Sequence, residues 1–169
     1  MKASKRASAS SKLALEFLIL TAARSAEVRK ATWDEIDLDG AVWVLPAERM
    51  KANREHRVPL SDRAVEVLGD AADLSDGSGL VFPGARRGRP LSENTHAKLL
   101  RELGFDAVTH GFRSSFRDWA AEQTHTPHAV MEAALAHTIK NRAEAAYARS
   151  DLFEKRRELM VAWAAYLAR

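Results

Sequence analysis

Cysteine is absent from the 169 residues. That excludes disulfides and thiolate-bound metal and fits a cytoplasmic protein. Glycine and proline are sparse, at 8 and 5, so the chain is neither collagen-like nor a low-complexity linker. No apolar run approaches the roughly 20 residues needed to cross a bilayer, and the first residues lack the apolar core of a secretion signal. Charge is nearly balanced: 26 Lys and Arg against 23 Asp and Glu leave a net +3. Familiar phosphate and metal machinery is missing too. The run GARRGR at 84–89 has glycines but no Gly-Lys-Ser/Thr, so it is not a Walker loop. There is no H-E-x-x-H, and no acidic cluster suggests a pair of catalytic metals. No cofactor is expected, and any phosphoryl chemistry must run on cationic side chains.

What is present is an ordinary folded composition, 46% hydrophobic and 29% charged, long enough for one domain with a real core. The basic residues are grouped. Lys2, Lys5, Arg6 and Lys12 open the chain, then Arg49, Lys51, Arg54 and Arg57, then Arg86, Arg87 and Arg89. Such patches suit a polyanion. Arg49, Arg54, Arg86, Arg87 and Arg89 are therefore candidate contacts to double-stranded DNA, although for any single patch a solvated surface is the plainer reading.

The pattern predicts an α+β domain, mainly helical with a small antiparallel sheet. Residues 1–12, Ala, Ser and basic residues without periodicity, read as a linker or tail, and the domain as 13–169. Leu13 to Ala23 is apolar almost all round and should be a buried helix. Ser25 is a candidate N-cap of a short second helix. Ala41 to Leu45 and His56 to Leu60 read as paired strands around a basic loop at 46–55, with Pro59 at a strand end. Ser61 caps a helix to about residue 72. Ser92 starts another, to about Leu103. Phe112, Phe116, Trp119 and Ala120 form one apolar stripe. Thr126 with Pro127, then Asn141 to Arg149, mark two more helices. Leu152 to Leu167 is amphipathic.

Few residues are equipped for chemistry. His110 and Arg113 form H-x-x-R at a predicted helix start, so imidazole and guanidinium share a face. The helix N-terminus would add N–H donors for an anion and favour a neutral imidazole. A capping histidine and a surface arginine are the plainer reading. Arg24 follows the buried helix with Glu27 three residues on, either a built site or a surface pair. Lys51 sits in the basic loop, free to reach a DNA groove or merely solvated. Tyr147, one of two tyrosines, is a lone aromatic in AEAAYARS, a nucleophile or a packing anchor; Tyr166 fits the packing role better. His137 precedes Tyr147 by ten residues, at a helix end, where a structural histidine is common.

Each signal is weak, but their order is not. Arg24, Lys51, His110, Arg113, His137 and Tyr147 resemble the ordered catalytic set of the tyrosine recombinases, the phage-integrase family. Thr21-Ala-Ala-Arg24-Ser-Ala-Glu27 resembles its T-G-x-R-x-x-E box, and Leu135-Ala-His137 its L-G-H box. TWDEIDLDG, HGFRSSFRDWA and DLFEKRRELM look closest to prophage-type integrases. The resemblance covers roughly 13–169 and departs from the family by Ala at 22 and 136, where Gly is usual. It also implies that core-binding and arm-binding domains normally precede this one and are absent here, so an excised or remnant domain is expected.

The resemblance implies a site-specific recombinase working through a 3′-phosphotyrosine. Tyr147 would be the nucleophile, and Arg24 and Arg113 the phosphate clamp. Lys51 would act as general acid, His110 would accept the tyrosine proton or hold a phosphate oxygen, His137 would be a phosphate ligand, and Glu27 would support them. It implies DNA and other protomers, in a tetramer on DNA, as partners. Two alternatives stay open: a type IB topoisomerase-like nicking-resealing enzyme, and an inactive DNA-binding remnant. The C-terminal helix is expected to dock on its own domain or on a neighbouring protomer.

Overall fold

A computed structural model describes residues 3–137 and 151–169. Among them the chain forms seven α-helices and one three-stranded antiparallel sheet. The helices are α1 (Ala3–Thr21), α2 (Ser25–Arg29), α3 (Asp62–Ala72), α4 (Thr95–Glu102), α5 (Thr109–Gln123), α6 (His128–Ala134) and α7 (Phe153–Leu167). The strands are β1 (Ile36–Asp37), β2 (Val42–Leu45) and β3 (His56–Pro59), in the order β1-β2-β3. The sheet and most of the helices match the sequence expectation. The helix expected over 141–149 lies outside the described residues.

The expected tail at 1–12 is corrected. From Ala3 the segment is the first half of α1. Hydrophobic periodicity is missing there, but so are Gly and Pro, and Ala and Lys are good helix formers. Ser10 and Ser11 are buried, and the Ser11 hydroxyl donates back to the Ser8 carbonyl. Two caps also move by one residue. Arg24 precedes α2 where Ser25 was expected, and Pro127 precedes α6 where Thr126 was expected. Strand β1 was not foreseen. Its two residues are too short to show alternation, and only pairing with Trp43 and Val42 defines it.

Three apolar clusters among the described residues draw on α1, the smallest being Leu15 with Leu99 and Leu100 of α4. The first joins α1, α2, the sheet and α3. Phe17 lies against Trp43 and Phe82, with centroids at 5.3 and 5.5 Å, and each such fully buried side chain contributes about 1.5–3 kcal/mol. Helix α3 presents Ala64, Val67, Leu68 and Ala71 to it, the 3–4 spacing of one face, and its first turn is capped by Ser61 Oγ accepting from Ala64 N–H.

The second core joins α5, α6 and α7. Phe116, Trp119 and Trp163 cluster with Tyr166 at its rim, and Trp163 Nε1 donates to the Ile19 carbonyl at 2.8 Å. The last helix thus docks on its own domain, and Tyr166 is a packing residue. At its start Arg156, almost fully buried, donates to the carbonyls of Asp151 and Arg57 and pairs with the Asp151 carboxylate. This fastens the segment that follows residue 150 to β3.

Candidate active site

Arginine 24 sits where α1 ends. The chain leaves α1 through Ala22, whose φ of +48° is left-handed, a conformation that costs an L-residue about 1–2 kcal/mol and that glycine adopts freely. Arg24 then begins α2. The buried Glu27 carboxylate accepts from the Arg24 backbone N–H at 2.8 Å and from its guanidinium at 2.7 Å. One acid therefore both caps the helix and aims the arginine.

Arg113 lies on the inner face of α5, 5% exposed. Its guanidinium donates to the carbonyl of Ala22, at the end of α1, and to that of Leu135 at 2.7 Å, just past α6. Ala136 then turns left-handed, φ +50°. The two positions where the family usually has glycine are thus the two left-handed turns beside Arg113. Burial, and then the nearby charge of Arg24, push the Arg113 pKa down to about 10, so it remains charged at neutral pH.

Helix α6 delivers His137. Its Nδ1 donates to Glu132 Oε2 at 2.9 Å and its backbone N–H to the Glu132 carbonyl, which turns Nε2 away from the carboxylate. Arg117 holds the other oxygen of Glu132 at 2.9 Å. Burial acts to raise the Glu132 pKa, but hydrogen bonds from His137 and Arg117 outweigh it and hold the carboxyl below its usual range. His110 is exposed in the first turn of α5, one turn before Arg113.

The hairpin closes the arrangement. Lys51 is exposed in the loop between β2 and β3. His56 begins β3, paired with Leu45. It is half-buried and faces the Ala134 carbonyl. Burial lowers its pKa to about 4, helped by the charges of Arg156, Arg113 and Arg24. Arg24, Arg113 and the returning limb of the lysine hairpin are therefore neighbours. Next to His56, Arg57 binds Asp151 at 2.6 Å, so both described flanks of 138–150 are fastened to elements of the site.

The structure thus brings together the regions around Arg24, Arg113, His137 and the Lys51 hairpin, with Glu27 as support. Tyr147 lies outside the described residues. Among the candidate DNA contacts, Arg49 has a side chain that is only 18% exposed and ion-paired to Glu35, with a second nitrogen donating to the Glu27 carbonyl. Arg54, Arg86, Arg87 and Arg89 are exposed, and Arg87 also donates to the Asp76 carbonyl. Sequence reasoning missed Glu132, His56 and Arg156. A carboxylate one turn ahead of His137 was a usable signal for the first; nothing local marked the other two. No group of His, Cys, Asp or Glu suited to a metal ion occurs among the described residues.

The comparisons assign the class. The Phage integrase family model matches residues 1–152, and the chain belongs to that family. It is 42% identical to the prophage integrase IntA of Escherichia coli K12 over 149 residues, covering 86% of this chain and 36% of the relative. It is 36% identical to the integrase of Enterobacteria phage P4, covering 92% of this chain and 40% of the relative. The prophage integrase IntZ of E. coli K12 is 39% identical, over 87% of this chain and 37% of its own. The chain thus spans about two-fifths of the length of these relatives. No solved structure matches it.

Proposed function

We propose that this chain is the catalytic domain of a site-specific tyrosine recombinase that cleaves and rejoins double-stranded DNA. The observation that carries the reading is the convergence of Arg24 and Arg113. Arg113 is fixed on carbonyls of both the Arg24 turn and the His137 turn, and the two cations lie close enough to perturb one another. Glu27 offsets part of the repulsion between the two cations, and the donors left on two planar forks suit a phosphate.

In the proposed reaction the Tyr147 phenolate oxygen attacks the scissile phosphorus. His110 takes the phenol proton. The bond to the 5′-oxygen breaks, Lys51 protonates that oxygen, and a 3′-phosphotyrosine remains. Arg24 and Arg113 hold the non-bridging oxygens as charge gathers on them. His137 donates to the same phosphate through Nε2, with Glu132 fixing the ring. Attack by a 5′-hydroxyl from the partner strand reverses the chemistry and completes exchange without ATP. Arg54, Arg86, Arg87 and Arg89 would contact backbone phosphates, and other integrase protomers would complete the assembly on cytoplasmic DNA.

The test is a nicked suicide substrate, whose cleaved strand end diffuses away, at low salt because phosphate contacts weaken steeply with salt. A covalent protein–DNA band is expected from this chain and none from Tyr147→Phe. A gel shift with no covalent band from either protein would reduce the chain to a DNA binder. Relaxation of supercoiled DNA without sequence preference would favour the topoisomerase-like alternative.

A further inference from the structure

Residues 46–55 form a long loop to carry a general acid. Its base is closed by the Leu45–His56 pair, yet Lys51 near its middle is exposed. A loop anchored only at its base leaves its tip free to wander, which defeats proton delivery to one oxygen. The outgoing limb has a second anchor. After a short 3₁₀ turn at Ala47–Arg49, the Arg49 guanidinium turns inward. One nitrogen pairs with the Glu35 carboxylate, whose other oxygen accepts from Trp43 Nε1 at 2.9 Å, and the second donates to the main-chain carbonyl of Glu27. Met50, the next residue, is buried in the first core. Arg49 thus stands two residues from Lys51 and bonds directly to the residue that aims Arg24.

We propose that Arg49 is a positioning residue for Lys51: it registers the general-acid loop against the Arg24–Glu27 turn, and so fixes the leaving-oxygen donor relative to the phosphate clamp. The proposal rests on the recombinase reading above. The two internal bonds turn the guanidinium toward Glu35 and Glu27 and leave the side chain only 18% exposed, which favours a bracing role over a phosphate contact. Lysine cannot replace it, since one ammonium does not span the Glu35 carboxylate and the Glu27 carbonyl as a rigid fork does.

The test compares adduct formation on two suicide substrates, one with the ordinary 5′-bridging oxygen and one with sulfur there. A thiolate leaves without an acid, so the second substrate removes the need for Lys51. Arg49→Ala should slow cleavage of the oxygen substrate by on the order of ten- to a hundredfold. On the sulfur substrate it should come within a few-fold of the parent chain, as Lys51→Ala does. The Arg49→Ala/Lys51→Ala double variant should be no slower than Lys51→Ala alone, and Arg49→Lys should rescue little. DNA binding by Arg49→Ala should keep the salt dependence of the parent.

Normal cleavage of the oxygen substrate by Arg49→Ala overturns the proposal. So does an equal loss on both substrates, a multiplicative loss in the double variant, or a salt slope shallower by about one, as loss of a phosphate contact would give. If the parent chain forms no adduct with either substrate, the recombinase reading is what fails. Amide hydrogen exchange then judges the brace. Faster exchange over residues 47–55 in Arg49→Ala supports it, and unchanged exchange there refutes it.

Discussion

Lowering the pH from 7 to 5 protonates, in the unfolded chain, two histidines that the folded chain holds neutral. His96 on α4 is fully buried, its Nδ1 at 3.2 Å from Ser25 Oγ, and burial, then the charge of Arg29, lowers its pKa to about 4. His56 is lowered to about 4 by burial and by Arg156, Arg113 and Arg24. Unfolded, each titrates near 6.5. As pH falls through 6.5 the unfolded chain takes up protons that the folded chain refuses until about pH 4. Stability is therefore full above pH 6.5 and declines toward pH 4. Each pH unit in that window is worth about 1.4 kcal/mol per histidine, so at pH 5 each site costs roughly 2 kcal/mol. Solvent around the half-buried His56 reduces its share, leaving a total of about 3 kcal/mol. Urea unfolding at pH 7, 6 and 5, at constant ionic strength, measures the loss. His96→Gln, which keeps a partner for Ser25, should remove about half the slope or more. A stability flat from pH 7 to 5, or an undiminished slope in the His56→Gln/His96→Gln double variant, would refute the reasoning.

Arg113→Lys leaves one of the buried carbonyls of Ala22 and Leu135 without a donor, so the urea midpoint should fall by the equivalent of about 1–3 kcal/mol; an unchanged midpoint would mean that Arg113 holds neither turn together. Ala136→Gly relieves a left-handed alanine worth about 1 kcal/mol, partly offset by the greater freedom of glycine in the unfolded chain. A net gain of about 0.5 kcal/mol and a Tm higher by about 1–2 °C are expected by calorimetry, and a lower Tm would contradict the strain argument. Ala22→Gly, by contrast, also gives up a methyl that is fully buried, worth about 0.8 kcal/mol, and should be nearly neutral.

The periodic features of the fold were legible in the sequence. The α5 stripe of Phe116 and Trp119, the Ser61 cap and the hairpin around 46–55 declare themselves over a few residues. Residues 3–12 did not, because a helix made of Ala, Ser and Lys carries propensity without a stripe. The site was legible only in part. Arg24, Lys51, His110, Arg113, His137 and Tyr147 were proposed from the order of the boxes, but the contacts that hold Arg113 and brace the Arg24 turn join residues far apart in sequence. Glu27 and Arg49 are separated by a turn and two strands, and Arg113 reaches one carbonyl 91 residues back and another 22 ahead. Arg49 shows the limit clearly. Within a basic run it is indistinguishable from Arg54, and only the folded position of Glu35 turns it inward.

The central claim is a covalent bond between DNA and one particular phenol oxygen. Trapping the adduct on a nicked substrate, digesting both protein and DNA, and sequencing the nucleotide-bearing peptide by mass spectrometry tests it directly. The account predicts a 3′-linked nucleotide on Tyr147, in the peptide Ala143 to Arg149. Attachment at Tyr166 or at any serine, or a 5′-linked nucleotide on Tyr147, would contradict it.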